Sequence, residues 1–153
     1  MSKEKIEIKF IKVHPDAQLP KQNHSGLMTG DTGFDLFSVE TVTIPASDSK
    51  VIPVGIKVGY ITPGYWFKIE ARSGLGFKHG LEPHPGIIDN QYRGDCGIKL
   101  FNFSPIPVTL KAGDRIAQLV VYELIQPVIS WTEEVNETER GELGFGSSDE
   151  KQK

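Results

Sequence analysis

Clusters of turn-forming residues cut this chain into pieces too short for anything but strands. Pro45-Ala46-Ser47-Asp48, Thr62-Pro63-Gly64, Ser104-Pro105 and Lys111-Ala112-Gly113-Asp114 recur along its body. Proline lacks the amide that a helix interior needs, and glycine loosens the backbone that a helix must hold. With 16 glycines and 10 prolines among 153 residues, long helices are opposed throughout. Between the clusters the residues alternate. Ile6, Ile8 and Phe10 take turns with Lys5, Glu7 and Lys9, the period-two pattern of a strand with one face buried. Further strands are expected at 40–44, 50–58, 65–70, 96–101, 108–110 and 116–124, with a single helical turn at 73–79. Strands of this length and spacing predict an all-β barrel or double-sheet sandwich, largely antiparallel.

At 17.0 kDa the chain is sized for one domain. A compact monomer of that mass exposes roughly 7,700 Å² and buries enough core to fold without a metal or a disulfide. A hydrophobic content of 38% excludes a wholly disordered chain, and a net charge of -3 argues against a general nucleic-acid binder. Cys96 is the single cysteine, which excludes an intrachain disulfide framework and a multi-cysteine zinc site. His79 and His84 lack a third ligand at useful spacing and read as surface or hydrogen-bonded histidines. The opening MSKEKIEIKFIKV has no apolar stretch of signal-peptide length, and no run of 18 apolar residues follows. The expectation is a chain with no membrane partner in the cytoplasm, or in a host cell's cytoplasm if viral.

The charge is uneven. Residues 133–153 hold seven acids and three bases, a net -4, which leaves the body at +1. This divides the chain into a β domain over 1–131 and a flexible arm over 132–153. The arm has too few apolar groups to offset the entropy of ordering itself. Yet Arg140-Gly141-Glu142-Leu143-Gly144-Phe145-Gly146-Ser147-Ser148 sets one aromatic among glycines, with an arginine before it and hydroxyls after it. It reads either as a disordered terminus or as an arm that orders over a ligand. In the second case Phe145 stacks, Arg140 pairs with an anion, and Gly146, Ser147 and Ser148 donate to phosphate.

Four other clusters carry chemistry. Ala71-Arg72-Ser73-Gly74-Leu75-Gly76 follows a strand and offers a guanidinium fork, a hydroxyl and glycine amides to an anion. In Gly113-Asp114-Arg115-Ile116-Ala117-Gln118-Leu119, Gln118 is the polar group expected on the same side as Ile116 and Val120. It suits a backbone contact as well as a ligand contact. In Gly86-Ile87-Ile88-Asp89-Asn90-Gln91-Tyr92-Arg93-Gly94-Asp95-Cys96-Gly97, read as a hairpin, Asp89 follows two branched apolar residues. Its carboxylate could orient and deprotonate a water, or simply cap the turn. Tyr92 offers a flat face or packs on the sheet, and Gly86 and Gly97 leave backbone open to a planar ring. Thr32-Gly33-Phe34-Asp35-Leu36 places Asp35 between apolar neighbours, either as a turn residue or as an acid near a water-coordinated cation.

Taken in order, these five clusters resemble the five motifs of the homotrimeric all-β dUTPases, over nearly the whole chain. The resemblance implies a distorted β-barrel or jelly roll with a flexible C-terminal arm. It implies hydrolysis of dUTP to dUMP and diphosphate with Mg²⁺, by a water that Asp89 aligns on the α-phosphorus. Tyr92 then packs under the deoxyribose, and backbone of the 86–97 segment, including Gly86 and Gly97, reads uracil. Arg72, Ser73, Gly74 and Gln118 meet the phosphates. Asp35 supports the phosphate and magnesium region through water or a neighbouring arginine. The metal is held mainly by phosphate oxygens, with no direct protein ligand. Active sites are shared between three subunits, and no nucleic acid is bound.

The chain departs from the family pattern at three places. Ala71 stands where proline is frequent, Glu82-Pro83-His84-Pro85 makes the base-side loop proline-rich, and Asp149 follows Ser148 where glycine is common. A dCTP deaminase-like enzyme of the same fold and a non-catalytic nucleotide-binding signalling module are the alternative readings.

Overall fold

The computed structural model describes residues 5–84 and 86–146, in which lie eleven strands and one short helix. In chain order these are β1 (Ile8–Lys12), β2 (Phe34–Phe37), β3 (Val42–Ile44), β4 (Ser49–Ile52), β5 (Ile56–Ile61), β6 (Tyr65–Glu70), α1 (Ser73–His79), β7 (Leu81–Pro83), β8 (Gly86–Ile88), β9 (Ile98–Asn102), β10 (Val108–Leu110) and β11 (Arg115–Glu123). The class is all-β, and every ladder among the described residues is antiparallel. One sheet runs β2-β11-β6-β8 and another β4-β9-β7, with two-stranded pairs β1-β5 and β3-β10.

Alternation builds the core. Ile98 and Leu100 of β9 turn inward while Lys99 faces solvent, and Phe67 and Ile69 of β6 do the same around Lys68. They meet Leu36, Ile44, Ile52, Leu81 and Ile116, all buried, each stabilising the fold by roughly 1.5–3 kcal/mol. Asn102 is a polar residue buried within this core. Its Nδ2 donates to the carbonyls of Ile44, Pro45 and Ile106, and its Oδ1 accepts from Ser104 N and Oγ. Satisfied on both ends, it joins β9 to the end of β3 at little desolvation cost.

The structure corrects three details of the sequence reading. The single strand expected at 50–58 is two, because Pro53 has no amide to donate and Gly55 turns left-handed at φ 69°. β4 and β5 therefore enter different sheets. The 86–97 segment is not a hairpin paired on itself. β8 pairs with β6 and β9 with β4 and β7, so its two arms splay between sheets. Finally, β11 carries an irregularity between Arg115 and Ala117. It turns Ile116 and Ala117 both inward, so Gln118 does not share the side of Ile116.

Past Glu123 the described chain has no strand or helix, and every residue to Gly146 is exposed. The accessible surface is 11316 Å², against roughly 7,700 Å² for a compact monomer of this mass. Ile125, Val128, Ile129 and Trp131 stand in solvent on this segment.

Candidate active site

β2 and β11 run side by side with Asp35 opposite Gln118. Asp35 is 7% exposed, and its carboxylate sits between two guanidinium groups. Arg72 Nε donates to Oδ1 at 3.1 Å and Arg115 Nη1 to Oδ2 at 3.0 Å. Arg115 Nη1 also reaches Asn23 Oδ1 at 2.9 Å, and Arg72 Nη1 donates to the Arg115 carbonyl at 3.3 Å. One buried acid thus fixes two cations, and Arg72 keeps further N–H donors for a ligand. Backbone bonds both ways between Asp35 and Lys21 hold the acid's own position.

Around this network lies a cavity of about 340 Å³ whose walls include Asn23, His24, Asp31, Asp35, Arg72, Ser73 and Gln118. An adjoining hollow shares Arg72, Ser73 and Gln118 and extends over α1 to Phe77 and Glu82. Gln118 Nε2 donates to the Ala71 carbonyl at 2.7 Å, which leaves one amide hydrogen and the carbonyl oxygen for other partners. Gly33 makes this possible, since a β-carbon there would overlap the Gln118 amide. The loop before β2 is closed on itself. Gln22 Nε2 donates to the Asp31 carbonyl, and the backbone N–H of His24 donates to Asp31 Oδ2 at 2.8 Å. That N–H holds the Asp31 carboxyl below the usual carboxylate range. A pocket with a fixed guanidinium, a hydroxyl and an amide is suited to phosphate oxygens.

Asp89 directly follows β8, an edge strand of its sheet with no neighbouring strand on the outer side among the described residues. Asp89, Asn90, Gln91 and Tyr92 form a tight turn closed by Tyr92 N donating to the Asp89 carbonyl at 3.0 Å. Tyr92 Oη donates to the Asp95 carbonyl, and the ring lies so close over Gly94 that a β-carbon there would strike it. Asp89 and Tyr92 are both exposed in the single chain. Gly97, just before β9, faces Val51, and an added β-carbon would lie 3.0 Å from its Cγ1.

The sequence candidates therefore fall into three groups. Asp35, Arg72, Ser73 and Gln118 share one cavity, with Gly74 exposed at the start of α1. Asp89 and Tyr92 share one turn elsewhere. Glu70 of β6 lies opposite Gln118, whereas the Asp89 turn is bonded to the Tyr65 end of the same strand. Tyr65 and Glu70 stand five residues apart on β6, about 17 Å of strand. The third group is the arm. Arg140 Nε donates to the Leu143 carbonyl at 2.7 Å, and Phe145 is fully exposed. Ser147 and Ser148, like Asp149, lie outside the described residues.

Sequence reasoning gave Arg115, Asn23 and Asn90 no role. The Gly113-Asp114-Arg115 turn was visible, but Arg115 reaches Asp35 only through the register of β11 on β2. No group of three or more His, Cys, Asp or Glu suited to a metal occurs among the described residues.

The dUTPase family profile matches residues 20–149. The deoxyuridine 5'-triphosphate nucleotidohydrolase of Crocosphaera subtropica is 39% identical over 145 residues, covering 94% of this chain and 99% of its own. A variant of Staphylococcus bacteriophage 80alpha dUTPase, solved with dUpNHpp, superposes with a TM-score of 0.84 at 29% identity, over 93% of this chain and 98% of that one. A variant of the dUTPase from phage phi11 of S. aureus, solved with a structural Mg(II) ion, gives a TM-score of 0.76 at 25% identity, over 86% and 99%.

Proposed function

The chain belongs to the dUTPase family, and from that premise we propose that it hydrolyses dUTP to dUMP and diphosphate at sites assembled from three copies of itself. The observation that carries this reading is that the Asp89 turn is bonded to the Tyr65 end of β6 while the Arg72–Gln118 cavity lies at its Glu70 end. In the proposed assembly Asp89 of one copy faces the Arg72 cavity of another.

The exposed apolar run at Ile125–Trp131 supports assembly, as does an apolar cleft of about 450 Å³ among Phe10, Leu19, Phe34, Leu119 and Val121 that such a run could fill. Closed threefold symmetry then makes the sites equivalent.

In each site the edge backbone of β8 and the residues near Gly97 read the uracil ring, and Tyr92 packs under the sugar. Arg72, Ser73 and Gln118 bind phosphate oxygens, with Arg72 held in place by Asp35. Asp89 orients the attacking water toward the α-phosphorus and takes its proton. The arm closes the site as Phe145 stacks on the base and Arg140, Gly146, Ser147 and Ser148 meet the phosphates, excluding bulk water.

The donor set suits a hydrated Mg²⁺ held mainly by the triphosphate. Asp35 is committed to two arginines and Asp31 lines the same cavity, so carboxylate oxygens are close without forming a protein cage. Bound there, the ion would neutralise phosphate charge.

A product assay tests the reading. Incubation with dUTP and Mg²⁺ should yield dUMP and diphosphate, with dCTP left unchanged. Ammonia release from dCTP would point to a deaminase instead, and nucleotide binding without turnover to a signalling module.

A further inference from the structure

Asn90 links the Asp89 turn to the rigid part of the barrel. Its Nδ2 donates to the Tyr65 carbonyl at 2.8 Å and to the Thr62 carbonyl at 3.1 Å. Two acceptors fix the orientation of the amide, because only its NH₂ end can serve both. The anchor is itself firmly held. Thr62 is buried, its N–H donates to the Glu7 carbonyl, and its Oγ1 accepts from Glu7 N at 2.8 Å. Between the two carbonyls, Gly64 O accepts from Leu124 N at 2.8 Å, and Tyr65 lies opposite Glu123 of β11. The N-terminal strand and β11 thus both bear on the point that Asn90 grips.

The turn is stiff from within as well. Arg93 Nη1 donates to the carbonyls of Asn90 and Tyr92 at 2.6 and 3.0 Å. Tyr92 Oη donates to the Asp95 carbonyl at 2.9 Å. The backbone of Asp95 forms an isolated antiparallel β-bridge with that of Lys57, and Cys96 N donates to the Ile56 carbonyl. These bonds fix the internal shape of the turn and its far end. The side-chain bonds of Asn90 hold the Asp89 end against β6.

We propose that Asn90 is a positioning residue for catalysis, setting the direction of the Asp89 carboxylate by clamping its turn to the Thr62 and Tyr65 carbonyls. The inference rests on the assignment of Asp89 as the water-aligning group and adds a requirement to it. Asparagine suits the task because it presents two donors in one plane. Aspartate has the same shape but no donor, and would set a negative charge against two carbonyl oxygens. Serine keeps one donor at most. A misplacement near 1 Å at a reacting group costs about 10²-fold in rate.

The experiment is steady-state kinetics with dUTP and Mg²⁺ on the full chain carrying Asn90→Ala, Asn90→Ser, Asp89→Asn and the double variant Asp89→Asn with Asn90→Ala. Thermal unfolding is followed in parallel. Asn90→Ala should lower kcat by about 10- to 100-fold with KM little changed, and Asn90→Ser should fall between it and the unsubstituted chain. In the Asp89→Asn background, Asn90→Ala should change kcat by less than about 2-fold, since a group that acts through Asp89 has nothing left to position. If the two losses multiply instead, Asn90 acts on the fold at large and the proposal is overturned. It is overturned alone if Asp89→Asn is nearly inactive while Asn90→Ala turns over normally. If Asp89→Asn itself turns over normally, the assignment of Asp89 fails, and the role of Asn90 fails with it. Should Asn90→Ala not fold, Asn90→Ser carries the same comparisons.

Discussion

The carboxylate of Asp35 holds the guanidinium of Arg72 through an Oδ1 to Nε contact of 3.1 Å. Arg115 takes the other oxygen, so a single buried acid orients both guanidinium groups beside the cavity.

Removing that acid should cost both stability and affinity. Asp35→Ala frees two guanidinium groups that are each 31% exposed, so solvent recovers part of the lost interaction. We expect a loss of about 1.5–3 kcal/mol in urea unfolding, the range for hydrogen bonds to charged groups. KM for dUTP should rise several-fold as Arg72 loses its fixed direction. An unchanged KM in a folded Asp35→Ala chain would separate Asp35 from substrate binding.

Gly33 offers a cleaner probe of the same cavity. Gly33→Ala places a methyl group where the Gln118 amide lies, and the far end of a flexible side chain can move aside. The melting temperature should fall by only a few degrees, a shift of about 1 kcal/mol for a chain of this size. KM should rise as Gln118 leaves the Ala71 carbonyl. Wild-type KM with the side chain displaced would show that Gln118 does not meet substrate.

Cys96 gives a prediction in pH. Burial, and then the nearby Asp95 carboxylate, push its thiol up from 9.0 to about 11. Below pH 9 the folded and unfolded chains both keep the proton, and the thiol's contribution to stability is complete. Between pH 9 and 11 the unfolded chain ionises first, so stability is lost as pH rises. The difference in unfolding free energy between the unsubstituted chain and Cys96→Ala should therefore shrink across that window. Alkylation at pH 8 should be slow until denaturant is added. Rapid alkylation of the native chain would contradict the burial of Cys96.

The arm should be dispensable for folding and required for turnover. Every described residue from Leu124 to Gly146 is exposed, and Phe145 packs on no core. Deleting 140–153 should leave the melting temperature nearly unchanged while kcat/KM falls by orders of magnitude. Equal kcat/KM after deletion would reduce the arm to a solvated terminus.

Much of this was legible because the signals were local. Apolar residues alternate around Lys68 and Lys99 in β6 and β9, and the residue types at Arg72, Ser73 and Gln118 suit anion contacts as well as ordinary loop and backbone roles. What stayed hidden depended on register. Arg115 meets Asp35 across the β2–β11 pairing, whose register shifts just after Arg115, and a bulge leaves no trace in composition. Asn90 grips carbonyls 25 and 28 residues away, a contact that no local window contains. β7 and β8 are three residues each, too short for a period of two to show. The 86–97 segment looked like a hairpin because its two ends resemble strands, yet each end is claimed by a different sheet.

Hybrid assemblies test most directly whether Asp89 of one chain serves the Arg72 cavity of another. Asp89→Asn and Arg72→Gln chains, each nearly inactive alone, are mixed in equal amounts, unfolded and refolded together. A site is intact when its Asp89 comes from an Arg72→Gln chain and its Arg72 from an Asp89→Asn chain. With unbiased assembly about one site in four meets both conditions, so roughly a quarter of the unsubstituted activity should return. Activity that stays at the parental level, with mixed trimers confirmed by native mass, would contradict the shared site.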